Sequence, residues 1–161
     1  MSRYLDEFQP GEVLLSAGRT ITEADVVRFA ALTGDSAGLV LTDAPAGEMS
    51  ASGLAPGSAP GPLVFSISTG LAAGDDRSQQ PELIAFFGVE RMRFLEPVVL
   101  GDTIRLKQTV EAAEPINENS GLLTMAAEIV NQKEAIALRY TAKLLVRRRP
   151  RPASGPGEER V

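Results

Sequence analysis

Apolar residues recur at helical spacing in two stretches of the first half of the chain and at strand spacing through the second half. Val26, Val27, Phe29, Ala30 and Leu32 keep the helical period behind Thr22, a good N-cap. Glu23 and Asp25 place negative charge on the positive first turn, and Gly34 stands where the helix should end. Leu63, Ile67 and Leu71 recur every four residues behind Pro62, a favoured first helical residue, with Gly74 as the stop. Ser66, Thr69, Gly70 and Ala73 give this second helix a small-residue face that allows close approach to another surface. It reads as a buried helix that a sheet wraps around.

Strand period takes over after Pro81. The segment from Leu83 to Phe94 is apolar and aromatic, and in 103–110 Ile104, Leu106 and Val110 alternate with Thr103, Arg105, Lys107 and Thr109. Residues 122–130 and 136–146 flank the polar turn Asn131-Gln132-Lys133-Glu134 and predict a long antiparallel hairpin. A short strand is expected at 13–17, closed by a Gly18-Arg19 turn. Between the helices, 35–61 is rich in Gly, Ala, Pro and Ser, the composition of a loop, and loops of that length usually carry function. The last stretch, 147–161, is rich in Arg, Pro and Gly and poor in apolar residues, so it is expected to be a disordered tail behind a single domain over 1–146. Its Arg147-Arg148-Arg149-Pro150-Arg151 cluster suits either a solvated strand end or an anion site, and the former is favoured.

Composition narrows the chemistry. A chain of 161 residues with 43% hydrophobic and 23% charged residues supports one globular core. It has no cysteine and no histidine, which removes thiolate nucleophiles, disulfides and the commonest transition-metal ligands, so no metal site and no cofactor is expected. A net charge of −5 speaks against nucleic-acid binding. No apolar stretch approaches the roughly 20 residues of a membrane span and no leader pattern opens the chain, so the expected location is cytoplasmic.

Three separate stretches carry a resemblance. Gly18-Arg19-Thr20-Ile21-Thr22-Glu23-Ala24-Asp25-Val26-Val27-Arg28-Phe29-Ala30 with Thr33-Gly34-Asp35 resembles the opening of the MaoC-like enoyl-thioester hydratases and dehydratases. Pro60-Gly61-Pro62-Leu63 sits where that family starts its central helix. Arg93-Phe94-Leu95-Glu96-Pro97-Val98 with Gly101-Asp102-Thr103-Ile104 is similar to its later strand-turn-strand signature. The resemblance implies an α+β chain of the hot dog fold, an antiparallel sheet wrapped around a central helix. It also implies a homodimer, or a heterodimer with an intact MaoC-like subunit, whose tunnel binds an acyl chain on coenzyme A or on an acyl carrier protein.

The family holds a catalytic Asp and His in a pattern like Asp-x-Asn-Pro-x-His. The matching run here is Asp35-Ser36-Ala37-Gly38-Leu39-Val40, so the Asp remains while Val40 stands at the His position. Valine moves no proton, and the chain has no other histidine to recruit. General acid-base assistance is worth about 10²–10⁴-fold, so ordinary hydration should be weak. Asp35 suits a lone base, with Ser36, Thr42, Asp43 or Ser58 nearby, and equally a turn at a helix end. Gly61 and Leu63 suit backbone donors to a thioester oxygen, and equally a plain helix start. The aromatic set Phe65, Phe86, Phe87 and Phe94 either lines the tunnel or packs the core. Three functions follow: an enzyme of altered thioester chemistry, among them thioester hydrolysis; a non-catalytic subunit that shapes an acyl tunnel; and an acyl-binding module.

Overall fold

The alternation in the second half of the chain builds one antiparallel sheet. In the computed structural model, which describes residues 2–36, 57–74 and 80–150, a single 3-10 turn at Leu5–Glu7 precedes β1 (Val13–Leu15), β2 (Arg19–Thr20) and α1 (Glu23–Thr33). The central helix α2 (Gly61–Ala73) follows, then β3 (Leu83–Phe94), β4 (Thr103–Pro115), β5 (Ser120–Val130) and β6 (Ile136–Arg147). The strand order is β1-β4-β5-β6-β3, with β2 also paired to β4. Leu63, Val64 and Ile67 of α2 pack into one core with Ile104, Leu106, Val110, Leu123, Met125 and Leu138 of the sheet. This is the hot dog arrangement of a sheet around a helix.

Local chemistry sets the element ends. Asp25 accepts the Thr22 backbone N–H at 3.0 Å and its hydroxyl at 2.9 Å, which fixes the start of α1. Gly34 ends it in the left-handed region at φ 77, its N–H on the Ala30 carbonyl. Three expectations about the strands change. β1 stops at Leu15 because the Ser16 hydroxyl takes the Leu106 N–H at 2.9 Å, so a side chain ends the ladder before Ala17. Arg19 is no turn residue but opens β2 opposite Ile104, where the Thr20 and Thr103 hydroxyls meet at 2.7 Å. β4 runs past Val110 to Pro115 because a bulge between Val110 and Ala112 interrupts the alternation while pairing with β5 continues. Gly121 then passes so close beneath Leu5 that a Cβ there would run into the Leu5 side chain and the Glu114 carbonyl. No other residue fits that crossing.

The chain ends are tied together. Arg148 meets Asp6 at 2.8 Å, Arg149 meets Glu7 at 2.8 Å, and Arg3 meets Glu12 at 2.6 Å while lying over the Phe8 ring. The arginines at 148 and 149 therefore have carboxylate partners, which weakens the anion-site reading of this cluster; 151–161 lie outside the described residues. The Arg148 hydrogen bond holds Asp6 below the usual carboxylate range, the Arg3 hydrogen bond does the same for Glu12, and the Tyr4 N–H for Glu7. Depressed folded pKa values mean that this stability is full above the unfolded value, about 4, and is lost as pH falls through the folded one. Thermal unfolding should therefore hold steady down to about pH 5 and drop by a few degrees below it, and Asp6→Asn should flatten that drop.

Two surfaces of this fold remain uncovered among the described residues. β3 is the outer strand beside β6, and Leu83, Ile84, Phe86 and Phe87 on it are exposed, Phe87 to 68%. Next to it the small-residue side of α2, Ser66, Thr69, Gly70 and Ala73, is exposed while Leu63, Val64, Ile67 and Ser68 are buried. Native proteins rarely leave a long apolar edge strand open.

Candidate active site

Chemistry at the start of α2 is set by what precedes it. Residues 57–60 run beside the 98–100 stretch: Leu100 N–H bonds the Gly57 carbonyl at 2.9 Å, Ala59 N–H bonds the Val98 carbonyl at 2.7 Å, and Ser58 pairs with Val99 as an antiparallel bridge. The turn on the far side is held by buried Asp102, whose carboxylate accepts the Val99 N–H at 2.9 Å and the Gln132 amide at 2.6 Å. Asp102 is thus a fastening residue for the strap that delivers Pro60 and Gly61 to the helix. The signature around Gly101-Asp102 is positional rather than catalytic.

Val64 N–H makes the first intrahelical bond of α2, to the Pro60 carbonyl at 3.1 Å. The N–H groups of Gly61 and Leu63 come before it, at the positive end of the helix, and Pro62 has none. The Leu63 side chain is buried in the core, so only its backbone can serve a ligand. Gly61 has no room for a side chain: a Cβ there would stand 2.7 Å from the Phe94 ring. Phe94 is itself half exposed and forms a wall over the helix start. Beside them, Ser58 is buried to 2% exposure, and its hydroxyl has no hydrogen-bond partner among the described residues. An orphaned buried hydroxyl is costly, and in native proteins it usually marks a ligand or water position.

Asp35 and Ser36 are exposed just past the end of α1. The Asp35 N–H bonds the Thr33 hydroxyl at 3.1 Å, and that hydroxyl bonds the Phe29 carbonyl at 2.8 Å, so the backbone that carries the carboxylate is fixed to the helix end. Val40, Thr42 and Asp43 lie outside the described residues, in the 37–56 segment between Ser36 and the α2 start. Ser58, Gly61 and Leu63 thus lead into the start of α2, while Asp35 and Ser36 follow the end of α1. Among the described residues there is no cluster of acidic side chains that could hold a metal ion.

A second feature escaped the sequence reading. A cavity of about 670 Å³ opens at the other end of α2, lined by Leu14, Leu71, Leu83, Phe86, Met125 and Tyr140 among others. Next to it, Tyr140 and the fully buried Ser68 share a hydrogen bond of 2.9 Å, and Ser68 donates to the Phe65 carbonyl at 2.6 Å. Phe65 meets the Tyr140 ring edge-on with centroids 5.3 Å apart. Burial pushes the Tyr140 phenol above its ordinary pKa, partly offset by the Ser68 bond. The signal for this pair was a serine at helical spacing on an apolar face, which needs a polar partner when buried. Of the remaining aromatics, Phe86 lines the cavity and Phe87 is exposed. Glu90 pairs with Lys143 at 3.7 Å, and Arg93 donates to the Met92 carbonyl.

Comparison with known proteins places these features in a wider set. The family profile described as "MaoC like domain" matches residues 7–132. "Protein MaoC" of Klebsiella aerogenes is 39% identical over 107 residues, 66% of this chain, and the matched part is 30% of that protein. This chain therefore corresponds to less than a third of that relative. Among solved structures, the "Monoamine oxidase regulatory protein" from Archaeoglobus fulgius is similar with a TM-score of 0.79 and 34% identity, over 92% of this chain and 97% of that one. A "putative MaoC domain protein dehydratase" from Chloroflexus aurantiacus J-10-fl is similar with a TM-score of 0.77 and 27% identity, over 99% of this chain and 44% of that one.

Proposed function

The chain belongs to the MaoC-like family, and from that premise we propose that it binds an acyl thioester, carried on coenzyme A or on an acyl carrier protein, and acts on it with Asp35 as its only acid-base side chain. The observation that carries this reading is the start of α2. Gly61 and Leu63 offer N–H groups at a helix N-terminus that follows directly on buried Ser58, whose hydroxyl has no hydrogen-bond partner among the described residues. Donors arranged in this way stabilise negative charge on a carbonyl oxygen, which is what a thioester develops when a proton leaves its alpha carbon or a nucleophile adds to it.

Hydration needs a base for water and an acid for the alpha carbon, and a chain without histidine supplies one carboxylate where the family uses a pair. Steps that need a single base and an oxyanion site remain open to it. Double-bond isomerisation is one, because the same carboxylate can remove a proton and return it; addition of a nucleophile other than water and thioester hydrolysis are others. The exposed β3 edge supports action as a pair of chains, as a homodimer or beside a relative with an intact Asp-His pair.

Incubation with enoyl, beta-hydroxy and saturated thioesters, followed by mass spectrometry of the products, tests the proposal. Turnover of one class, abolished in Asp35→Ala with thioester binding retained, is the expected result. Failure of calorimetry to detect binding of any thioester would sink the reading of the α2 start. Binding without turnover favours the second reading, a non-catalytic subunit, for which the specific observation is Val40 at the histidine position. Co-purification with an intact relative, and turnover only in its presence, would establish that case.

A further inference from the structure

We propose that Arg91 and Arg93, near the end of β3, hold the phosphate that terminates the pantetheine arm of the thioester's carrier. The inference rests on the thioester reading above and adds what recognises the carrier.

The first observation is an uncompensated row of charge. Lys107, Glu128, Arg139 and Arg93 stand opposite one another across β4, β5, β6 and β3. Their neighbours Leu106, Ile129 and Leu138 point into the core, so the row lies on the sheet face turned away from α2. Glu128 meets Arg139 at 2.9 Å and Lys107 at 3.9 Å, one carboxylate between two cations. Arg93 faces Arg139 directly, and its guanidinium donates only to the Met92 carbonyl, at 2.8 Å. Like charges directly opposite across a sheet destabilise it. The chain has a net charge of −5, so this surplus of cations is local and runs against the balance of the whole.

The second observation is strain beside that row. Glu90 pairs with Thr141 and Arg93 with Arg139, so Arg91 and Met92 together stand opposite Tyr140 and form a bulge. Arg91 takes it in the left-handed region at φ 55, a conformation that glycine adopts freely and a long side chain adopts at a cost. Strain of this kind is kept where a side chain is used. Arg91 is exposed and has no salt bridge among the described residues, and its neighbour Glu90 is taken by Lys143 at 3.7 Å.

Both arginines adjoin the helix start. Phe94 follows Arg93 and turns to the opposite face, where its ring stands against Gly61. A thioester at Gly61 and a phosphate at Arg93 are then on two sides of one strand end, about 10 Å apart, the spacing of packed layers. A pantetheine arm is as long as about four extended residues, roughly 14 Å, enough to pass around the end of β3. Its phosphate stays at the exposed surface, where two guanidinium groups meet it without the desolvation that burial of an anion costs. Coenzyme A and carrier proteins share this phosphate, so one site recognises either.

The same acyl group on pantetheine, on phosphopantetheine and on coenzyme A tests this by calorimetry. Arg91→Gly combined with Arg93→Gln should weaken binding of the last two by about tenfold or more and leave the first within about twofold. Thermal unfolding of that variant should hold or rise, because strain and repulsion are both relieved. Arg93→Glu, which gives Arg139 a carboxylate, should repeat both results. Equal loss for all three thioesters, or loss for none, overturns the phosphate site. So does a loss confined to coenzyme A, which would tie the arginines to nucleotide phosphates instead of the one on the arm. A parent chain that binds none of the three defeats instead the thioester reading on which the site rests.

Discussion

A Val40→His variant is expected to hydrate enoyl thioesters about 10²–10⁴-fold faster than the parent chain, the range a positioned acid-base group contributes. The run Asp35-Ser36-Ala37-Gly38-Leu39-Val40 keeps the family's first catalytic residue and departs at its last. The carboxylate end of that run is already built, because Gly34 caps α1 in the left-handed region and Thr33 holds the Asp35 N–H. Ala37 and Gly38 stand at the family's Asn and Pro positions, so Ala37→Asn and Gly38→Pro belong in the same variant as a second test. Hydration is followed by loss of enoyl absorbance, with Asp35→Ala added to the gain-of-function chain as the control. If neither the single nor the triple variant gains activity, Asp35 is not the counterpart of the family's aspartate.

Gly61→Val should have the opposite effect, lowering thioester turnover by about 10²–10³-fold, the cost of losing one oxyanion donor. The reason is steric. A Cβ at this position stands 2.7 Å from the Phe94 ring, so a branched side chain must expel the ring and cover the N–H groups behind it. Phe94 is 53% exposed and can swing outward, so thermal stability should change little while activity collapses. A parallel loss of both in unfolding and kinetic measurements would mean that Gly61 is needed only to start the helix. Phe94→Ala in the Gly61→Val background separates the two accounts further: it gives the valine room, so any stability lost to the clash should return while the covered N–H groups keep activity low.

The fold was legible because its periods are clean. Both helices and the strand from Leu83 to Phe94 follow from spacing and from the glycines and prolines that bound them. What misled was local: a serine hydroxyl that ended β1, a bulge that carried β4 past the point where its alternation stops. The arginines after β6 read as unattached because sequence cannot show that Asp6 and Glu7, at the other end of the chain, stand beside them. Gly61 and Ser58 drew notice in the sequence as helix-start and loop residues, but the crowding of Gly61 by Phe94 and the burial of Ser58 depend on contacts that the sequence does not display. The cavity was not legible, since its lining is gathered from β1, α2 and each of the strands β3 to β6, which are far apart in the sequence.

The open edge of β3 has a cellular consequence. Residues 83–88 combine β-branched, aromatic and leucine side chains with no charge and no proline, the composition of segments that stack into cross-β fibrils when left exposed. Left uncovered, this edge presents a nucleus for aggregation, and a charged residue in place of Phe87, which is 68% exposed, should slow it.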